Sequence, residues 1–161
     1  MKFILAAISL FVVSCGSDSL SSLTSNEQST LAASEGNVTI KFEDVRLKDG
    51  GQMCITIVPE GADFPEADPK QAVYNECLDL ESVAEEGLSL ALPKGTYAAA
   101  VFQDENENGV LDMKKIIFWD APAEGFGFSG NPKLRKGAPD FEDCAFKVDE
   151  TANLLIKMRK I

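Results

Sequence analysis

The chain of 161 residues carries 26 acidic against 15 basic side chains, a formal net charge of −11, and that field argues against nucleic acid or an anionic lipid surface as a direct partner. It contains no histidine, which excludes a Ser-His-Asp triad, a Cys-His pair and every histidine-bound zinc or copper site. Catalysis, if any, falls to carboxylates, Lys, Tyr, Ser or Cys.

Lys2 precedes an apolar run from Phe3 to Val13. Eleven residues are too few for a bilayer core, which needs roughly twenty, and suit a signal-peptide core instead. Val12 stands three residues before Cys15 and Ser14 directly before it, an arrangement that resembles the lipobox of bacterial lipoproteins. The resemblance implies that residues 1–14 are a signal peptide and that Cys15 takes a diacylglycerol and becomes the new N-terminus. Each buried CH₂ adds roughly 0.8 kcal/mol, so two or three acyl chains anchor a protein firmly. The location expected is extracytoplasmic, lipid-anchored to the cell envelope. Gly16 lacks the acidic character that retains some lipoproteins at an inner membrane, which favours the outer one. Loss of Lys2 with the signal moves the charge balance from −11 to −12.

The segment 15–36 is Ser-rich with few apolar side chains, and reads as a flexible tether reaching on the order of 25 Å. One domain, 37–161, follows. Val38, Ile40 and Phe42 alternate with Thr39, Lys41 and Glu43, which predicts a half-buried strand. Met53, Ile55 and Ile57 repeat the pattern after a Lys48-Asp49-Gly50-Gly51 turn. A weaker strand spans Val73–Leu80, with a short helix starting at Asp68-Pro69 as an alternative feature just before it. Leu88, Leu90 and Leu92 form another strand. Tyr97 to Phe102 is apolar on both faces, as a central strand is. Cys144, Phe146 and Val148, then Leu154, Ile156 and Met158, complete about seven strands. With no βαβ alternation, the expectation is an all-β, antiparallel two-sheet β-sandwich of the transthyretin-like or immunoglobulin-like Greek-key kind.

Once Cys15 is lipidated, Cys54, Cys77 and Cys144 remain in an oxidising compartment. Cys144 shares a face with Phe146 and Val148, whereas Cys54 lies on the face opposite Met53, Ile55 and Ile57. The pairing expected is therefore Cys54–Cys77, worth roughly 3 kcal/mol.

The richest chemistry follows the central strand, in Asp104-Glu105-Asn106-Glu107-Asn108-Gly109-Val110-Leu111-Asp112. Oxygen-bearing side chains fall at loop positions 1, 3, 5 and 9, with glycine at 6. Calcium takes six to eight oxygens at about 2.4 Å, and this spacing suits a structural ion bound by Asp104, Asn106, Asn108, the carbonyl of Val110 and Asp112. Position 12 is Lys115 rather than a bidentate glutamate, so a further carboxylate is needed, and Glu124 is the candidate. Asn108-Gly109 alone is also a hairpin-turn signal. Trp119, Phe126 and Phe128 are a candidate ligand surface for a sugar or other apolar face, or else cover one end of the core. Lys133, Arg135 and Lys136 read as a solvated basic loop rather than an anion site.

Gly95-Thr96-Tyr97-Ala98, Val101-Phe102-Gln103 and the acidic loop precede Pro122-Ala123-Glu124-Gly125-Phe126-Gly127-Phe128-Ser129 and Gly137-Ala138-Pro139-Asp140-Phe141-Glu142-Asp143. This ordered series resembles a family of small secreted bacterial proteins catalogued as a domain of unknown function, number 2141. The match runs from about Val38 to the C-terminus. It implies an extracytoplasmic β-sandwich and brings no assigned activity. Members often carry His where Gln103 stands and Asn where Gly130 stands, so roles at those positions do not transfer. The acidic loop also looks like the strand-borne calcium loops of surface-protein B-type repeats.

The function expected is a non-enzymatic, calcium-stabilised binding or structural module of the envelope, joined to the membrane through its lipid. Its partner would be a carbohydrate, a small molecule or an envelope protein. One alternative is a carrier of a small apolar ligand or sugar, against which stand large aliphatic core positions. The other is a carboxylate-based hydrolase, for which no catalytic motif is recognisable and no catalytic residue is named.

Overall fold

The computed structural model describes residues 34–134 and 137–161. The signal segment, Cys15, most of the Ser-rich stretch, and Arg135 and Lys136 of the basic cluster lie outside the described residues. The elements in chain order are β1 (Glu35–Glu43), β2 (Gln52–Pro59), β3 (Tyr74–Asp79), α1 (Leu80–Glu86), β4 (Leu88–Pro93), β5 (Gly95–Asp104), β6 (Met113–Ile116), β7 (Trp119–Pro122), β8 (Gly125–Phe128), α2 (Phe141–Cys144), β9 (Phe146–Val148) and β10 (Thr151–Lys157). One sheet runs β10-β1-β4. A second runs β3-β2-β5-β8, with β9 also pairing to β5. The hairpin β6-β7 pairs with neither.

The protein is all-β and sandwich-like. Val38, Ile40 and Phe42 of β1, with Ile156 of β10, pack against Met53, Ile55 and Ile57 of β2 and Ala99 and Val101 of β5. Period-two alternation places these side chains on the inward faces, and their removal from water is the main force joining the sheets. β5 is buried on both faces over Tyr97–Ala99, as its unbroken apolar sequence requires of a strand with neighbours on both sides. Gly127 lets β8 approach β10: a Cβ there would stand 2.7 Å from Ile156 Cγ2. Beyond β10 the chain crosses to β8, where Phe126 and Arg159 exchange backbone hydrogen bonds of 2.8 and 2.7 Å.

Several elements differ from the sequence reading. Ten strands replace about seven, because Trp119–Pro132, read as one loop, contains β7 and β8, and Met113–Ile116 before it forms β6. β1 begins at Glu35, two residues before the expected domain boundary. β1 and β10 run parallel rather than antiparallel. They are the first and last strands, so no short turn dictates their relative direction. No helix forms at Asp68-Pro69; the chain makes a single turn there, closed by Gln71 N–H to Asp68 O at 2.8 Å. The helix is instead α1, whose capping residue Asp79 accepts the Ser82 N–H at 2.9 Å and whose Leu80 and Val83 are buried. Cys144 ends α2 rather than opening a strand.

Cys54 and Cys77 lie directly opposite in the β2-β3 register and are joined as a disulfide, with Cα atoms 3.9 Å apart. Cys144 is a free, buried thiol. Burial first, then Asp143 and Asp140, pushes its pKa up to about 12, so it stays protonated and unreactive. In the full chain carrying Cys15→Ser, thiol titration should find none reactive before unfolding and one afterwards. Reducing Cys54–Cys77 should lower the unfolding free energy by about 3 kcal/mol. Three thiols in the unreduced, unfolded protein would show that the bond does not form.

Candidate functional site

β5 delivers Asp104 at its last position, directly across from Gln52 of β2. Asp104 is fully buried, at 0% exposure. Gln52 Nε2 donates to its Oδ2 at 3.0 Å, as does the Gly109 N–H at 2.7 Å, while the Asn108 N–H reaches Oδ1 at 3.1 Å. Burial raises the Asp104 pKa. Hydrogen bonds from Gln52 and from the backbone of Gly109, Asn108 and Glu107 outweigh that effect and hold it below the ordinary carboxylate value. The Gly51 backbone passes so close that a Cβ there would lie 2.0 Å from the Asp104 carbonyl oxygen, and its φ of +85° also suits only glycine.

The loop then folds on its own polar side chains. Asn106 Oδ1 accepts the Asn108 N–H at 3.1 Å, and Asn108 Oδ1 accepts the Val110 N–H at 2.8 Å. Both amide nitrogens point at one carboxylate, Asn106 Nδ2 reaching Asp112 Oδ2 at 2.7 Å and Asn108 Nδ2 reaching Oδ1 at 3.3 Å. Gly109 turns the chain at φ +77°. The loop is no simple hairpin, because β6 pairs with β7 and not with β5.

Glu124, 3% exposed, closes the loop from the far side of the hairpin. Its Oε1 accepts the Glu105 N–H and its Oε2 the Asp112 N–H, each at 2.9 Å. The structure thus brings Asp104, Asn106, Asn108, Asp112 and Glu124 into one hydrogen-bonded unit. Val110 joins through its N–H, and its side chain is exposed. Among the described residues, no Lys or Arg pairs with Asp104, Asp112 or Glu124. Lys160 lies nearby, but its ammonium meets Glu105 and Asp49.

The donor set suits calcium in kind, since every candidate ligand offers oxygen. It is not already gathered as a cage. Among the described residues, no three Asp, Glu, Cys or His side chains converge to hold a metal. Asp112 is tied to two amide nitrogens, which do not ligate cations, and would exchange them for an ion.

Two positions that support the loop escaped the sequence reading. Gln52 donates to Asp104. Gln103, 1% exposed, donates from Nε2 to the carbonyls of Arg46 at 3.0 Å and Gly50 at 2.9 Å, holding the connection that carries Gly51. A polar residue continuing the inward series Ala99, Val101 was the available signal for Gln103.

Trp119, Phe126 and Phe128 do not form one surface. Phe126 is buried in β8 and packs edge-on to Phe128 at 5.9 Å, which meets Phe64 at 6.0 Å; Phe64 meets Phe141 at 6.1 Å. These rings cover one side of the second sheet. Trp119 lies on the β6-β7 hairpin, half exposed.

An Asp104→Asn substitution tests the loop's energetics. It replaces a charged acceptor of several N–H groups, so urea unfolding at pH 7 should show a loss of about 2 kcal/mol. Because the folded pKa lies below the ordinary 3.8, the native Asp104 contributes stability that is complete above that value and lost as pH falls through the folded pKa. The variant should therefore lose less stability than the native chain between pH 4 and pH 3. Equal losses in the two proteins would refute the assignment.

No curated protein and no solved structure matches the chain. A family model does match, over residues 40–155, from within β1 to within β10. By that match over more than half its length, the chain belongs to the family described as an uncharacterized protein conserved in bacteria, DUF2141.

Proposed function

We propose that the chain is a non-enzymatic module of the bacterial cell envelope, anchored through a lipid on Cys15 and stabilised by calcium in the Asp104–Asp112 loop. The observation that carries the calcium reading is a pair of buried carboxylates, Asp104 and Glu124, whose partners are N–H groups and no cation. The N–H groups keep these buried carboxylates ionised but leave their charge in place, and a divalent ion would neutralise it directly. Asp104, Asn106, Asn108, Asp112, Glu124 and the Val110 carbonyl would hold it. The ion would supply charge neutralisation and loop order.

The same hydrogen bonds favour a structural over a catalytic role. Both Glu124 oxygens and both Asp104 oxygens already accept backbone N–H groups, so neither carboxyl is poised to exchange a proton with a substrate. Large aliphatics fill the space between the sheets, which disfavours an internal carrier. A carbohydrate, a small molecule or an envelope protein remain the partner classes for the surface.

With a Kd of roughly 10⁻⁴–10⁻³ M, calcium at about thirty times Kd should add about 2 kcal/mol and raise Tm by about 7 °C. Chelator should reverse the shift, and Asp112→Ala should abolish it. A Tm indifferent to calcium and chelator would remove the ion from the reading. The anchor is tested separately. Cells fed labelled palmitate should label the native chain and not the Cys15→Ser chain, and label in neither would remove the lipid.

A further inference from the structure

The β6-β7 hairpin ends in the most exposed apolar cluster of the described chain. Ile117 and Phe118 form its two-residue turn at 79% and 89% exposure, and Trp119 follows at 51%. Two-residue hairpin turns call for Asn, Asp or Gly, because they need left-handed backbone. Here the β-branched Ile117 adopts φ 42°, a strained setting for such a side chain. Local turn chemistry, at Ile117, and the burial of apolar groups, at Ile117, Phe118 and Trp119, are thus both violated at one hairpin end. Such coincident violations mark function more often than accident.

The hairpin is built to project. Among the described residues β6 and β7 pair as strands only with each other; Ala121 is buried against the body and Lys114, across from it, donates to the Ile161 carbonyl, while the turn residues stay exposed. Its feet are fixed: Ala123 N–H donates to Asp112 O at 2.8 Å, and the Glu124 carboxylate holds the Asp112 N–H. Lys115, exposed, stands just behind the tip, where a long cationic side chain can reach a headgroup while its stem lies along apolar surface; Lys114 instead donates to the Ile161 carbonyl.

From this geometry we infer that the Ile117-Phe118-Trp119 tip inserts into the interfacial layer of an electrically neutral lipid bilayer. Three side chains offer at most about 600 Å². That is less than the roughly 800 Å² per partner of a standard protein interface, which also needs a complementary face. A bilayer needs no complementary face, and it takes aromatic and aliphatic side chains one at a time, with Trp favoured at headgroup depth. The net charge of −11 selects neutral over anionic lipid. The inference draws on the anchored reading only for proximity to a membrane.

Trp119 is the sole tryptophan, so its fluorescence reports the tip alone, however the chain is attached. The full chain is mixed with phosphatidylcholine vesicles. Trp119 emission should shift to the blue, lose accessibility to acrylamide and be quenched by lipids brominated in the acyl chains. Phe118→Asp and Ile117→Asp, both at exposed positions, should abolish all three changes and leave thermal unfolding intact. Vesicle flotation reads attachment independently, and compared with the Cys15→Ser chain it separates failure of the anchor from failure of the tip. Emission unchanged by vesicles, with the chain floating or not, would overturn the inference. So would the same shift produced by raising protein concentration without lipid, which would indicate a second copy, or a strict requirement for phosphatidylglycerol, which would indicate a charge effect.

Discussion

The burial of the Asp104 carboxylate at the end of β5 organises one end of this molecule. A charge removed from water must be met by donors, and here there are three: the Gln52 side chain on the neighbouring strand and the backbone N–H groups of Asn108 and Gly109 on the following loop. The first ties the carboxylate to the sheet. The others force the loop to curl back over the strand that produced it. Gly51 makes room for this arrangement, because any side chain there would strike the Asp104 carbonyl.

A second carboxylate transmits the constraint. Glu124 lies after the hairpin, yet accepts N–H groups from Glu105 and Asp112, which lie before it. The acidic loop is therefore the mounting of the β6-β7 hairpin. With no other strand pairing among the described residues to hold it, the hairpin owes its position to these bonds, to the Ala123–Asp112 backbone contact, to the Lys114–Ile161 bond and to the burial of Ala121. Loss of either carboxylate would release the feet of the hairpin before it disturbed the hydrophobic core, since the core lies between the two main sheets.

The parts of the fold governed by period-two burial were legible in the residues. Val38–Phe42, Met53–Ile57 and Tyr97–Phe102 each fall on strands, and the two-faced apolarity of the last marked it as central. The Cys54–Cys77 bond followed from Cys144 lying on a core face and Cys54 on the opposite one. Asp104, Asn106, Asn108 and Asp112 stood out as one loop because oxygen spacing is a local property, whereas Glu124 entered only as the further carboxylate such a loop would need. What escaped depends on distant context. Nothing in Thr151–Lys157 states that its partner is β1 in parallel, since that pairing closes over the whole domain. α1 is hidden because seven residues give too little helical period, although Asp79 and Ser82 carry its cap. β7 and β8 are too short to show alternation, and Gly125 and Gly127 disguise the second as a loop. The service of Gln52 to Asp104 depends on register, which no single strand records.

The loop and the hairpin also carry opposite electrostatic characters, and their adjacency gives the region its logic. Asp104, Asp112 and Glu124 gather negative charge at the base, met only by N–H dipoles. The tip, a few residues away, is neutral and apolar with two lysines behind it. Dipoles satisfy individual lone pairs but leave net charge in place, and the bonds that meet these carboxylates are the ones that also hold the hairpin. The proposed cation at the base would neutralise part of that charge and stiffen the mounting without touching the tip. Order in the hairpin would then rise with occupancy of the loop, while the affinity of the tip for an apolar phase would still be set by Ile117, Phe118 and Trp119 alone. Charge at the foot governs how firmly the hairpin is held; apolar surface at the end governs what it can enter.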